Sequence, residues 1–199
     1  AAPQTVRLRG LGYYDAGSRS FYSTERPVYT PEDLTGLKIR VQESQTALNM
    51  VRQLGGSPTP IAWGELYTAL QQGVVDGAEN NPPSFYLSKH YEIARYFTLD
   101  EHTAVPDLLL ISESVWSQLN TIQQQWLQRA VDDSVALQRV LWQDMTEAAL
   151  ANVAAAGVTI IRPDKALFRT RVAAMKEAYE GTDIGQLIAR IDAAVPGHD

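Results

Sequence analysis

Arginine and asparagine side chains at the ends of predicted strands are the residues of this sequence that could do chemistry. Arg40 lies near the end of the apolar stretch 37–41, and Asn80 follows the stretch 74–79. A guanidinium group is planar, stays charged when desolvated and matches a carboxylate with two parallel hydrogen bonds. This chemistry would bind an organic anion. Taken singly, the two residues also fit a surface arginine on an edge strand and a turn before Pro82.

Motifs for other chemistries are absent from the sequence or have the wrong spacing. There is no cysteine, which excludes disulfides, thiolate metal sites and a cysteine nucleophile. The histidines at positions 90, 102 and 198 form no pair with metal-ligand spacing. The glycines at 10, 12 and 17 lack the spacing of a nucleotide loop, and there is no Gly-x-Ser-x-Gly elbow. We therefore expect no enzyme, no metal and no cofactor.

The composition is that of a globular protein with an excess of acidic groups. Of the 199 residues, 45% are hydrophobic and 20% are charged. The 17 basic and 23 acidic residues give a net charge of −6, which argues against nucleic acid as a partner. No window of 18 apolar residues could span a membrane. The N-terminus (residues 1–4) lacks a basic region followed by an apolar run, so we expect any signal peptide to be absent from this chain.

The elements that must position Arg40 and Asn80 alternate between strand and helix in the first two-fifths of the chain. The predicted strands or extended stretches are 6–11, 37–41, 58–61 and 74–79, and the predicted helices are 31–36, 46–54 and 64–72. Arg19 falls in a loop after the first strand. Short connections of this kind favour right-handed crossovers and a mostly parallel sheet. Ligands bind beyond the carboxyl ends of such strands, where Arg40 and Asn80 fall.

A long helix dominates the second half of the chain. A pattern without proline or glycine runs from Thr121 to Ala156, and Thr121 and Gln124 are predicted to form its capping box. Its apolar residues keep three-to-four spacing: Ile122, Trp126, Ala130, Leu137, Leu141, Met145 and Ala148. A helix of about 54 Å is longer than one small domain, so it either kinks or crosses two lobes. The other predicted elements here are strands at 108–111 and 158–161 and helices at 165–179 and 184–194.

Four motifs together resemble a known family. They are Thr30–Leu34 with Gly36–Val41, Leu54–Pro60, Gly64–Gly73 and Val75–Asn80. In this order and spacing they resemble the DctP-type substrate-binding proteins of TRAP (tripartite ATP-independent periplasmic) transporters, over essentially the whole chain. The resemblance implies an α/β fold of two lobes, with mostly parallel sheets and a long lobe-spanning helix. It also implies a periplasmic protein that closes around an organic acid and delivers it to a membrane permease.

The resemblance implies a role for four side chains in ligand binding. In the family, the arginine of the Gly-Leu-Lys-Ile-Arg-Val strand forms a bidentate salt bridge with the ligand carboxylate, and here that residue is Arg40. The asparagine that contacts the ligand matches Asn80. The aromatic residue that packs on the ligand matches Trp63, where phenylalanine is frequent in relatives. Arg19 matches an arginine that some members use.

Two further residues, Glu79 and His102, match groups that steady the carboxylate-binding arginine in relatives. The sequence also departs from the common family pattern. Gln42 stands where many relatives have proline, and residues 80–85 replace the commoner Asn-Pro. With the segments 17–22, 88–92 and 101–102, these departures resemble the branch that binds uronates and keto-sugar acids. The implied ligand is a sugar acid such as a hexuronate or diketogulonate.

The resemblance also predicts the domain organisation. Residues 1–103 form the lobe with the carboxylate site, 104–120 a return segment of the other lobe, 121–156 the long helix, and 157–199 the C-terminal strand and helices. We expect the chain to lack the N-terminal part of the first lobe, because family members carry a substantial segment before the strand at 6–11. The chain alone would then bind its ligand weakly or not at all and expose an apolar patch.

The sequence leaves other functions open. The ligand could be a small dicarboxylate or a 2-oxo acid instead of a sugar acid. An enzyme that acts on sugar acids would need an acid/base pair or a metal near Arg40, which the sequence does not show. A sensor module could use the same lobe to signal the ligand. The implied partners are a small carboxylate ligand and the TRAP permease subunits, with the complete protein a monomer.

Overall fold

The computed structural model describes residues 7–194, which form a six-stranded sheet and a separate two-stranded sheet. The strands are β1 (Leu8–Tyr14), β2 (Ser18–Ser23), β3 (Lys38–Val41), β4 (Ser57–Pro60), β5 (Gly77–Asn80), β6 (Tyr96–Ala104), β7 (Asp107–Ser112) and β8 (Thr159–Ile161). The large sheet has the order β4-β3-β5-β2-β6-β8, and the small sheet pairs β1 with β7. Val6, the predicted start of the first strand, lies outside the described residues.

Helices connect and cover these strands. They are α1 (Gln45–Gln53), α2 (Leu66–Gln71), α3 (Pro82–Leu87), α4 (Glu113–Trp116), α5 (Thr121–Ala155), α6 (Lys165–Glu177) and α7 (Asp183–Ala194). Short 3-10 turns span Pro31–Leu34, Trp63–Glu65 and His90–Glu92. The predicted alternation of strand and helix between residues 37 and 80 is confirmed. No helix within residues 7–194 combines the length and the apolar character that a membrane crossing requires.

The large sheet is mixed because one of its central strands runs against its neighbours. β3 pairs in parallel with β4 and β5, and β6 pairs in parallel with β8. β2 is antiparallel to both β5 and β6. In the small sheet, β1 pairs antiparallel with β7, the segment 107–112. The predicted first strand therefore does not belong to the large sheet. The α/β fold with two sheet regions is confirmed, while the domain boundaries stay a prediction.

The strand β2 corrects the prediction that Arg19 lies in a loop. Arg19 belongs to β2, in which Ser20 is 1% exposed although it is polar. The strand β6, which the sequence analysis did not predict, likewise buries Thr98, whose hydroxyl donates to the Val28 carbonyl at 2.8 Å. Both strands bury hydrogen-bonded polar residues, so they do not show the apolar alternation by which half-buried strands are recognised.

Hydrophobic cores cover both faces of the large sheet. The first core, with α2 and α3, includes Tyr22, Leu66, Leu70, Val75, Phe85, Phe97 and Val153. The second core, with α1 and α6, includes Phe21, Leu34, Ile39, Val41, Val51, Leu54 and Phe168. Phe21 and Tyr22 are adjacent in β2 and enter opposite cores, as successive strand residues must. The large sheet is therefore the middle layer of three, and its strands are held in fixed register.

The helix α5 contacts both sheets. Near its start it packs on β1, where a Cβ at Gly12 would lie only 2.9 Å from Val131 Cγ1. Tyr14 of β1 also shares a hydrogen bond of 3.0 Å with Ser134. Near its end, Val153 enters the first core of the large sheet. The prediction that this helix spans the two parts of the fold is confirmed.

Two details of α5 differ from the sequence prediction. Its cap is Asn120, which forms the capping box with Gln123, and not Thr121 with Gln124. Its fully buried residues are Val131, Ala149 and Val153. Five members of the predicted apolar stripe are instead 42–69% exposed: Ile122, Trp126, Leu137, Leu141 and Met145. The helix has apolar residues on more than one face, so spacing alone did not identify the buried one.

Candidate ligand-binding site

Three strands of the large sheet bring polar side chains to one edge. β3 and β5 are parallel neighbours, with Arg40 paired with Ala78, so Arg40 and Asn80 come to the same end of the sheet. β2 runs the opposite way and begins at that edge, where Ser20 pairs with Asn80. Arg19 therefore lies beside Asn80, although the two residues are distant in the chain. The structure thus brings Arg19, Arg40 and Asn80 together.

Arg19 and Asn80 border a cleft of about 440 Å³ between the large sheet and the small sheet with α5. Arg19, Trp63 and Asn80 line the cleft, as do Ala16, Gly17, Gln42, Asn81, Ser84, Val105, Asp107 and Trp142. Arg40 is not among the lining residues, but its guanidinium carbon lies 5.7 Å from the centroid of the Trp63 indole ring. This is the distance of a cation–π contact. The cleft therefore combines aromatic and amide groups with the Arg19 guanidinium, and Arg40 adjoins it through Trp63.

Arg40 is buried and incompletely hydrogen-bonded. The residue is 2% exposed, and its Nε donates to the Ile61 carbonyl at 2.8 Å. Its Nη1 is buried and has no partner among the described residues. Burial lowers the pKa of Arg40 below its ordinary value. An unpaired buried donor costs about 1–3 kcal/mol, and more when it is charged. An anion that reached Nη1 would remove this cost.

Arg19 is already paired within the protein. Its Nε and Nη2 donate to the two carboxylate oxygens of Glu79, and Nη2 also donates to the Glu79 carbonyl at 2.8 Å. Its Nη1 donates to Asn80 Oδ1 at 3.0 Å, which also accepts the Asn81 backbone N–H at 2.9 Å. These bonds orient the Asn80 amide and leave its NH₂ group available to a ligand. Arg19 therefore lies in the cleft with its charge balanced by Glu79.

His102 and Asp100 extend this pair into a buried charge network. His102 Nδ1 lies 2.7 Å from Asp100 Oδ2, and its Nε2 lies 3.5 Å from Glu79 Oε2. Burial alone would lower the pKa of His102, but the carboxylates of Asp100 and Glu79 raise it to about 9. Burial likewise opposes ionisation of Glu79, yet His102 and Arg19 hold its pKa below the usual value. The network thus contains two cations and two anions.

The free energy of unfolding should fall as the pH rises from about 6.5 to 9. The pKa of His102 is about 9 in the folded protein against an ordinary 6.5, so the folded state holds an extra proton in this window. Stability is present in full below pH 6.5 and is lost as this proton leaves, by about 3 kcal/mol at most. Urea unfolding across this range, compared with His102→Gln, measures the effect. If the free energy of unfolding changed equally with pH in both proteins, the prediction would be wrong.

His90 packs against Trp63 and adds no charge beside Arg40. The residue is 2% exposed, its Nδ1 lies 2.8 Å from the Tyr22 hydroxyl, and its ring centroid lies 5.1 Å from that of Trp63. Burial and the nearby Arg40 lower the pKa of His90 to about 4. The imidazole is therefore neutral at neutral pH, and it packs against Trp63, which lines the cleft.

Sequence reasoning missed residues that the fold brings in from distant segments. Trp142 of α5 lies close to Gly17: a Cβ there would be 2.8 Å from the indole Nε1. Gly17 has a φ of +66°, which favours glycine, so the sequence suits this close approach. Asp107 enters from β7. Asn81 also lines the cleft, where its side chain caps α3 by accepting the Ser84 N–H and donates to the Ala16 carbonyl.

The family model of the bacterial extracellular solute-binding proteins, family 7, matches residues 3–182. The chain belongs to this family. A solute-binding protein of Chromohalobacter salexigens is 36% identical over 187 residues, covering 92% of this chain and 56% of that protein. The resemblance drawn from the sequence motifs is therefore confirmed.

Solved structures of family 7 relatives agree with the fold. A TRAP periplasmic solute-binding protein from Chromohalobacter salexigens, with bound D-glucuronate, has a TM-score of 0.90 and 36% identity, over 95% of this chain and 64% of that one. One from Xanthobacter autotrophicus, with bound β-D-galacturonate, has a TM-score of 0.88 and 39% identity, over 96% and 64%. The chain spans less than two-thirds of the length of these family 7 relatives.

Proposed function

We propose that this chain binds a hexuronate in the cleft beside Arg40. The observation that carries the proposal is the buried Arg40 Nη1, which has no partner among the described residues, in a guanidinium 5.7 Å from the ring of the cleft residue Trp63. A carboxylate would complete its hydrogen bonds, and the Asn80 amide and Trp63 would face the sugar ring. The relatives crystallised with glucuronate and galacturonate support this ligand class.

The proposal places the protein in the periplasm, as the binding component of a TRAP transporter. It would act as a monomer and deliver the sugar acid to membrane permease subunits. We propose binding without catalysis, because the buried carboxylates Glu79 and Asp100 are held in ion pairs and are not free to transfer protons. Arg40, Asn80 and Trp63 would contact the ligand. Arg19, Glu79 and His102 would hold the edge of the cleft in place.

Glucuronate and galacturonate should raise the Tm of the 199-residue chain, whereas glucose and succinate should not. A site built to bond hydroxyls leaves its polar groups unpaired with an analogue that lacks them, and glucose lacks the carboxylate that Arg40 needs. A ligand at about 100 times its Kd adds about 2.7 kcal/mol to the free energy of unfolding. Thermal unfolding with each compound, titrated into the millimolar range, measures the effect.

The panel also separates the competing ligands. A Tm shift with succinate alone would favour the small-dicarboxylate alternative. The absence of a shift with either uronate would contradict the proposed function.

A further inference from the structure

Charge balance in and around the cleft leaves two groups without a counter-charge. The buried network is neutral, since its two cations and two anions pair with one another: Arg19, His102, Glu79 and Asp100. Outside this network, the buried Arg40 offers one positive charge and the solvent-exposed Asp107 one negative charge. Within the part of the chain that the structure describes, Asp107 forms no ion pair or side-chain hydrogen bond.

Arg40 and Asp107 belong to the two different sheets. Arg40 lies in β3 of the large sheet, with its guanidinium carbon 5.7 Å from the ring of the cleft residue Trp63. Asp107 is the first residue of β7 in the small sheet, where it pairs with Tyr14 of β1. It lines the same cleft as Arg19, Trp63 and Asn80. A ligand that lies against Trp63 and Asn80 of the large sheet therefore shares the cleft with the carboxylate of Asp107 from the small sheet.

We propose that Asp107 makes the cleft selective for sugar acids with one carboxylate over the corresponding dicarboxylates. The inference rests on the proposed function and adds a specificity residue to it. A carboxylate accepts hydrogen bonds from hydroxyl groups, so Asp107 suits the hydroxyl end of a uronate. A second ligand carboxylate at the same place would be repelled, and like charges brought together in an interface discriminate against the wrong partner.

Galacturonate and galactarate provide the test, because galactarate keeps the hydroxyls and carries a carboxylate at each end. Wild-type protein should bind galacturonate at least tenfold more tightly than galactarate, as measured by calorimetry. Asp107→Asn should reduce that preference at least fivefold, mainly by tightening galactarate binding. Asp107→Ser removes the same charge with a smaller side chain and should shift the preference in the same direction.

The matched control is Asp133→Asn, which changes the net charge equally at an exposed position of α5 away from the cleft. The Asp133→Asn variant should prefer galacturonate over galactarate as strongly as the wild type does. This comparison separates the effect of the local charge at Asp107 from that of the net charge of the protein. Equal binding of both compounds by the wild type, or an unchanged preference in Asp107→Asn and Asp107→Ser, would overturn the inference while leaving uronate binding intact. Failure of the wild type to bind galacturonate would instead overturn the proposed function.

Discussion

Arg40→Ala should weaken hexuronate binding by about thirtyfold or more. Removing one partner of a desolvated charge pair costs about 2–5 kcal/mol, and Arg40 is 2% exposed with Nη1 unpaired. Arg40→Lys should also bind poorly. A lysine offers a point charge and cannot both donate to the Ile61 carbonyl, as Arg40 Nε does at 2.8 Å, and present a planar fork to a carboxylate. Calorimetric titration with glucuronate measures both variants.

Arg139→Ala is the matched control for this experiment. Arg139 is exposed on α5 and does not line the cleft, so the substitution removes a positive charge without touching the site. Its affinity should equal that of the wild type. If Arg40→Ala bound glucuronate as tightly as the wild type, Arg40 would not be the carboxylate anchor.

Glu79→Leu should lower the free energy of unfolding by about 3–5 kcal/mol, the typical cost of removing one partner from a buried ion pair. Glu79 is 3% exposed and receives two hydrogen bonds from the guanidinium of Arg19. Without it, Arg19 would lose its ion-pair partner, while the protonated His102 would keep Asp100. Urea unfolding measures the loss, and Tm should fall by about 10 °C.

The ion pair of Arg9 with Glu113 provides the comparison. Its side chains are 43% and 40% exposed, and solvent screens such pairs strongly. Glu113→Leu should therefore leave Tm nearly unchanged. Equal losses in Glu79→Leu and Glu113→Leu would mean that burial of the network contributes nothing to stability. Glu79→Gln keeps the shape of the side chain and loses its charge, so its Tm should lie between those of Glu79→Leu and the wild type.

The sequence predicted the parallel part of the large sheet well. The stretch from 37 to 80 has apolar strands bounded by glycine and proline, so its pattern directly reports burial. β2 and β6 escaped prediction because their buried positions include polar residues such as Ser20 and Asp100. The same polar residues form hydrogen bonds around the site. Apolar periodicity therefore misses the strands that carry the polar residues of the site.

The site itself was predicted through family motifs more than through residue chemistry. Arg40 and Asn80 could be placed at strand ends, but only the antiparallel course of β2 brings Arg19 to them. That Arg19 would be neutralised by Glu79 depends on side-chain geometry, which no spacing rule encodes. Trp142 and Asp107 come from elements far along the chain. Their part in the cleft follows from tertiary packing alone.

The antiparallel strand β2 also determines when the cleft can form during folding. β3 pairs with β4 and β5 across shorter stretches of the chain than β2 does with its partners, so these contacts have lower contact order. β2 joins the two halves of the sheet by pairing Ser20 with Asn80 and Arg19 with Thr103. Such distant pairings require loop-closure entropy to be overcome first, and they slow folding. Ligand affinity should therefore be among the last properties to return on refolding, after the helical signal has recovered.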